Sequence, residues 1–94
     1  MVTAIVRHKV KEISQWRSVF EENLTALWTS GCNSAKVLRG VDDPLDVVVI
    51  VEWPTPAEMN AFFASQQGSD AAQRGGVIGT PEGVILENYR SYVP

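Results

Sequence analysis

From Val47 to Val51 the chain reads VVVIV, apolar at every position. A strand sends alternate side chains to opposite faces, so an unbroken apolar run of this length is shielded from water on both. This run lies within Ser34 to Glu58, SAKVLRGVDDPLDVVVIVEWPTPAE, which reads as strand, tight turn, strand and helix start. In the turn Asp42-Asp43-Pro44 the aspartates bond their own backbone and the proline fixes its torsion. Beyond the run, Thr55-Pro56-Ala57-Glu58 has the form of a capping box with proline at the first helical position. The chain therefore has a central strand, and everything else must cover it.

The first strand is predicted over Val2 to Val10. Val2, Ala4, Val6, His8 and Val10 share the core-facing parity, while Thr3, Ile5, Arg7 and Lys9 face the other way. A helix is predicted from about Ser14 to Ser30, with Ser14 as N-cap and Gly31 as the residue that ends it. Ile13, Trp16, Val19, Phe20, Leu24, Leu27 and Trp28 recur on it at three- and four-residue steps. The second strand is expected over Ala35 to Val41 and the third over Asp46 to Trp53. The second helix presents Met59, Phe62 and Phe63 inward and stops at Gly68. A short helix over Asp70 to Arg74, a loop over Val77 to Glu82 and a last strand over Gly83 to Tyr92 complete the chain.

The order is β-α-β-β-α-β, an α+β fold of ferredoxin-like type: one four-stranded antiparallel sheet with both main helices on one face. The first and third strands are central. The opposite face then carries Ile5, Val48 and Ile50, an apolar patch that monomers rarely leave wet. Covering about 600 Å² of it at ~25 cal/mol/Å² contributes a gross figure on the order of 15 kcal/mol per partner, before association costs. A two-fold homodimer through the sheet faces, closing into an α+β barrel, is the expectation.

Ninety-four residues make a single domain, 1–94, and a chain this short gains much from burial against a partner. A hydrophobic content of 45% with three Trp argues against disorder. A net charge of −3 gives no basis for nucleic-acid binding, which concentrates Lys and Arg. No apolar run approaches the roughly 20 residues of a membrane span, and MVTAIVRHKV turns polar too soon for a signal peptide. The lone Cys32 fits a reducing compartment and reads as structural, so a cytoplasmic location is expected. One His and one Cys are a poor ligand set, so no metal and no cofactor is expected.

His8 is the single imidazole and hence the candidate base; the alternative is a hydrogen-bonded histidine at the core edge. Glu52 ends the apolar third strand, either as a desolvated acid or base or as a structural bridge to Arg39. Trp16, Phe20, Trp28, Trp53, Phe62, Phe63 and Tyr89 are core by default. So many rings between two helices and a small sheet also leave room for an imperfectly filled cavity that takes a flat apolar or aromatic ligand. Arg39, Asp70 and Arg74 are the polar candidates at its rim.

Three segments, VRHKVKEISQWRSVFEEN, VLRGVDDPLDVVVIVEWPTPAEMNAF and SDAAQRGGVIGTPE, resemble the dimeric α+β barrel superfamily over nearly the whole chain. That superfamily includes small polyketide cyclases, cofactor-free antibiotic-biosynthesis monooxygenases, haem-degrading enzymes and stress-responsive barrel proteins. The resemblance implies a pocket between helices and sheet. The cyclases place one His on the first strand and another after the second helix; here His8 is the counterpart of the first, and SQQGSDAAQRGG holds no second. The monooxygenases use an Asn on the first strand, and this one has none. The leading expectation is a cofactor-free cyclase or isomerase acting on an aromatic or polyketide-like substrate, with His8 as base. The alternatives are a cofactor-independent monooxygenase and a non-catalytic barrel that binds a hydrophobic ligand or serves in stress response.

Overall fold

The computed structural model describes residues 1–65 and 73–94. The elements run β1 (Val2–Val10), α1 (Ile13–Glu22), α2 (Leu24–Thr29), β2 (Ser34–Arg39), β3 (Asp46–Trp53), α3 (Pro56–Phe63) and β4 (Val77–Glu87). The four strands form one sheet in the order β2-β3-β1-β4, and each neighbouring pair is antiparallel. The expected ferredoxin-like α+β architecture is therefore present, with β1 and β3 central.

Register assigns the two faces. Val2, Ala4, Val6 and His8 stand opposite Trp53, Val51, Val49 and Val47. These residues share one face, and Trp16 of α1, Leu27 of α2 and Met59 of α3 join them in the core. Trp53, Met59, Val10 and Val47 are the largest side chains with essentially no exposed surface. The other face presents Ile5, Val48 and Ile50 in the middle, flanked by Leu38 on β2 and by Ile78, Val84 and Leu86 on β4. Leu38, Ile78, Val84 and Leu86 are 43–52% exposed, so no helix of the described chain covers this side.

Several local expectations change. The first helix is divided at Asn23, whose backbone (φ −89°, ψ −1°) belongs to neither half. The Asn23 N–H is shared between the carbonyls of Val19 (3.2 Å) and Phe20 (3.1 Å), a tightened turn at a residue that suits helix ends better than interiors. Ser14 does not cap α1: Glu12 holds that position, and the Ser14 hydroxyl instead donates to Glu12 Oε1 at 2.7 Å. Thr55 does precede α3 with Pro56 at its start, but its side chain makes no capping bond. Glu58, the expected reciprocal partner, is directed at Gly31.

The last strand begins at Val77, earlier than expected, because the loop-like residues lie inside it. Lys9 pairs with Ile78 and Arg7 with Glu82, so Gly79, Thr80 and Pro81 bulge out opposite the single residue His8. Gly79 takes φ +72° there. The strand also ends earlier, at Glu87, because that residue pairs with Val2, where β1 begins. Glu52 and Arg39 form no bridge. Glu52 pairs with Ser34 while Arg39 pairs with Val47, five residues away along β3 and roughly 17 Å distant. The cross-strand ion pairs are instead Arg7 to Asp46, two-pronged at 3.1 and 2.7 Å, and Lys9 to Asp43 at 3.1 Å.

Gly31 ends α2 as expected, with φ +99°. Its N–H reaches Trp28 O at 3.0 Å, and the Cys32 N–H reaches Leu27 O at 3.3 Å, the paired bonds of a Schellman stop. A Cβ at Gly31 would also sit 2.7 Å from Glu58 Oε2. Gly31→Ala is expected to lower the urea midpoint by the equivalent of about 1–2 kcal/mol without altering the slope. An unchanged midpoint contradicts this account of the α2–β2 corner.

Candidate functional site

Two helices cannot fill the space over a twisted four-stranded sheet, and a cavity of about 580 Å³ remains between them. That volume lies in the usual range for a small-molecule site. Its floor is the helix-facing parity of β1 and β3 (Ala4, Val6, His8, Val49, Val51 and Trp53), and Gly83 and Ile85 of β4 extend it. The roof is the Trp16, Val19, Phe20, Asn23 and Leu27 stripe of α1 and α2, with Phe62 and Phe63 of α3 on the far side.

The aromatic rings hold one another in place. Trp16 and Phe20 stack, with centroids 5.1 Å apart and planes within 16°. Phe62 and Phe63 lie 5.7 and 5.5 Å from Trp53, a tilted and an edge-on contact. The Trp53 indole donates to the Ser30 hydroxyl at 3.0 Å, so its polar edge is satisfied. These side chains form rigid, flat walls.

His8 is a polar residue in a mostly apolar lining. Its ring lies 5.5 Å from the Trp16 ring at 49°, and the residue is half-buried. Both ring nitrogens are out of contact with solvent, and neither has a hydrogen-bond partner among the described residues. A buried polar group left unpaired costs about 1–3 kcal/mol, a penalty that a ligand supplying the missing partner removes. Burial pushes the His8 pKa below its ordinary value of 6.5, while the charge of Asp46 pulls weakly the other way. The imidazole is therefore neutral near pH 7 and keeps one nitrogen free to accept a proton.

Of the residues singled out from sequence, His8, Trp16, Phe20, Trp53, Phe62 and Phe63 meet in this cavity. Others lie elsewhere. Trp28 is 46% exposed, because α2 turns its indole outward. Glu52 stands on the opposite face of the sheet, where its Oε1 accepts from the Ser34 hydroxyl at 3.2 Å. Arg39 is exposed at the far end of the β2 edge strand. Tyr89 follows β4 and is 87% exposed, with the Arg90 guanidinium 5.5 Å from its ring. Arg74 ties the turn before β4 to α1, donating to Glu22 at 3.0 Å while its carbonyl accepts from Gln15 at 2.9 Å. Asp70 and most of the expected lid helix lie outside the described residues. The sequence reading passed over Asn23, although it continues the step pattern of Trp16 and Phe20 toward Leu27.

Cys32 is buried and its thiol donates to Ser34 O at 3.3 Å, with burial raising its pKa. This is the structural role expected of it. Among the described residues no three His, Cys, Asp or Glu gather as metal ligands, and no helix is long and apolar enough to cross a membrane.

No protein-family model matches the chain, and no curated protein does. Solved structures do match. SnoaB, a cofactor-independent oxygenase of Streptomyces nogalater, superposes with a TM-score of 0.81 at 20% identity, over 96% of this chain and 94% of its own. An antibiotic biosynthesis monooxygenase gives 0.78 at 17% identity, over 96% and 100% of the two chains. A protein of Methanosarcina mazei gives 0.78 at 12% identity, over 94% and 92%. At these identities the likeness carries the fold alone, the ferredoxin-like α+β arrangement expected from the sequence.

Unfolding exposes the imidazole and restores its ordinary affinity for protons, so the unfolded chain takes up a proton before the folded one does. The His8 contribution is thus fully present above pH 6.5 and is lost as pH falls from there toward the lower folded-state value. Urea denaturation at a series of pH values is expected to show this decline, and His8→Leu is expected to flatten it. A slope that persists unchanged in His8→Leu contradicts the placement.

Proposed function

We propose that this protein is a small-molecule enzyme that holds a flat aromatic or polyketide-like substrate in the cavity and removes one proton from it with neutral His8. The observation that carries this reading is a His8 ring that lines a mostly apolar cavity with both of its nitrogens buried and without a partner among the described residues. The Trp16–Phe20 stack offers a plane for ring packing. Apolar walls exclude water, which keeps the His8 imidazole neutral and so in the form that can accept a proton. Orientation alone can supply ~7–11 kcal/mol of a barrier, and a general base ~10²–10⁴-fold in rate, so a site with a single titrating group is sufficient.

Proton removal from a phenol or enol leaves an electron-rich carbon, and two outcomes branch from it. Attack on a carbonyl of the same chain gives a cyclase or isomerase. Reaction with dioxygen gives a cofactor-independent oxygenase, which the likeness to SnoaB and the antibiotic biosynthesis monooxygenase favours. Both outcomes use His8 in the same way. We also propose that the working unit is a two-fold dimer with the open sheet faces packed together, supported by the apolar row of Leu38, Val48, Ile50, Ile5, Val84 and Leu86.

The test is turnover of a panel of polycyclic phenols and linear polyketide chains, with product formation and oxygen uptake recorded together. Wild-type turnover is expected to fall ~10²–10⁴-fold in His8→Ala while circular dichroism shows the fold retained. Oxygen consumed in step with product selects oxygenation, and none selects cyclisation. Equal rates in wild type and His8→Ala contradict the proposed base, and substrates that bind and emerge unaltered contradict an enzyme.

A further inference from the structure

Apart from the two tryptophans, His8 and Asn23 are the polar residues among the described ones that line the cavity. The Asn23 backbone is fully engaged. Its N–H is shared between Val19 and Phe20, and its carbonyl accepts from Leu27 at 3.1 Å. The side chain is not engaged. It occupies the N-cap position of α2 but makes no capping bond, and no bond to it occurs among the described residues. An asparagine at a helix junction ordinarily spends its amide on the adjacent turn. This one is half-buried and lines the cavity instead.

Its position relative to His8 follows from helix geometry. Trp16, which touches the His8 ring, and Asn23 are seven residues apart on one stripe, with Phe20 stacked between them. Seven residues at 1.5 Å each place Asn23 about 10 Å further along the axis, two turns away. The two polar groups thus stand at opposite ends of the aromatic wall. A wall of about 10 Å is the length over which a fused two- or three-ring ligand can lie along Trp16 and Phe20.

We propose that Asn23 is the second polar anchor of this site, bonding an oxygen at the end of the ligand remote from the atom that His8 holds. A primary amide both donates and accepts, so it takes a hydroxyl or a carbonyl there, and it carries no charge to desolvate. Its consequence is orientation: with both ends tied, a flat ring system has one way to present its ionisable hydroxyl to His8. The inference rests on the reading that a flat aromatic ligand occupies the cavity, and the experiment separates failure of the one from failure of the other.

Isothermal titration calorimetry with 2-naphthol, which has one oxygen, and naphthalene-2,6-diol, which has one at each end, provides the test. Wild-type protein is expected to prefer the diol by about tenfold, the scale of one net hydrogen bond. Asn23→Leu, of similar size, is expected to erase that preference while leaving 2-naphthol affinity within about twofold of wild type. Asn23→Asp serves as the folded control for the junction, since aspartate suits the same backbone, and it is expected to retain the preference because its carboxylate accepts a hydrogen bond from the diol's hydroxyl. A diol preference that survives in Asn23→Leu, or a wild type that binds both probes equally, overturns the anchor while leaving the cavity reading intact. A wild type that binds neither probe at millimolar concentration overturns both.

Discussion

The packing of β3 between β1 and β2 governs the rest of the structure. Val47, Val49, Val51 and Trp53 point to the helices and are at most 7% exposed, while Val48 and Ile50 point to the opposite side. A strand of this composition is tolerable only when both its faces are covered. The helices cover one. They are tied to it by the Trp53 indole, whose bond to Ser30 joins the strand to the end of α2. The Schellman stop at Gly31 sets the angle at which the chain leaves α2 to begin β2.

The cavity follows from the same arrangement. Broad rings at Trp16, Phe20, Phe62 and Phe63 hold the helices away from a sheet whose floor is built of small residues, Ala4, Val6, Val49, Val51 and Gly83. Large side chains above and small ones below leave the space between them. The division of the first helix at Asn23 and the β4 bulge opposite His8 both lie at the edges of this space. Each is a departure from regular structure, and each brings a polar residue or a change of direction to a wall that is otherwise hydrocarbon. Irregularities concentrated around one cavity accord with the ligand site proposed there.

How far the sequence disclosed this depended on the range of the interaction. The bounds of β1 and β3 were legible to the residue, because period-two alternation in β1, the unbroken apolar run of β3, the Asp42-Asp43-Pro44 turn before it and the Thr55-Pro56 helix start after it are local signals. The Asp43 side chain indeed accepts from the Leu45 N–H at 3.1 Å, as its turn chemistry requires. The parity that placed His8 on the helix side was equally local. What escaped was set by pairing across the sheet. Gly79-Thr80-Pro81 carries turn residues, and only the register of β1 against β4 makes them a bulge and not a loop. Glu52 and Arg39 looked like partners on adjacent strands, yet register separates them and parity sends them to opposite faces. Trp28 looked inward on a straight helix, but the break at Asn23 turns it out to solvent. Asn23 itself went unnoticed because a polar residue in an apolar stripe reads as an interruption until the cavity beside it is visible.

The open face remains the sharpest commitment of the account. Ile5, Leu38, Val48, Ile50, Ile78, Val84 and Leu86 form a surface continuous with the core strand, and a second copy of the chain is the cover proposed for it. Light scattering of the protein at micromolar concentration tests this directly. The account predicts a particle of twice the 10.3 kDa chain mass. A particle of 10.3 kDa, stable and folded in dilute buffer, contradicts it.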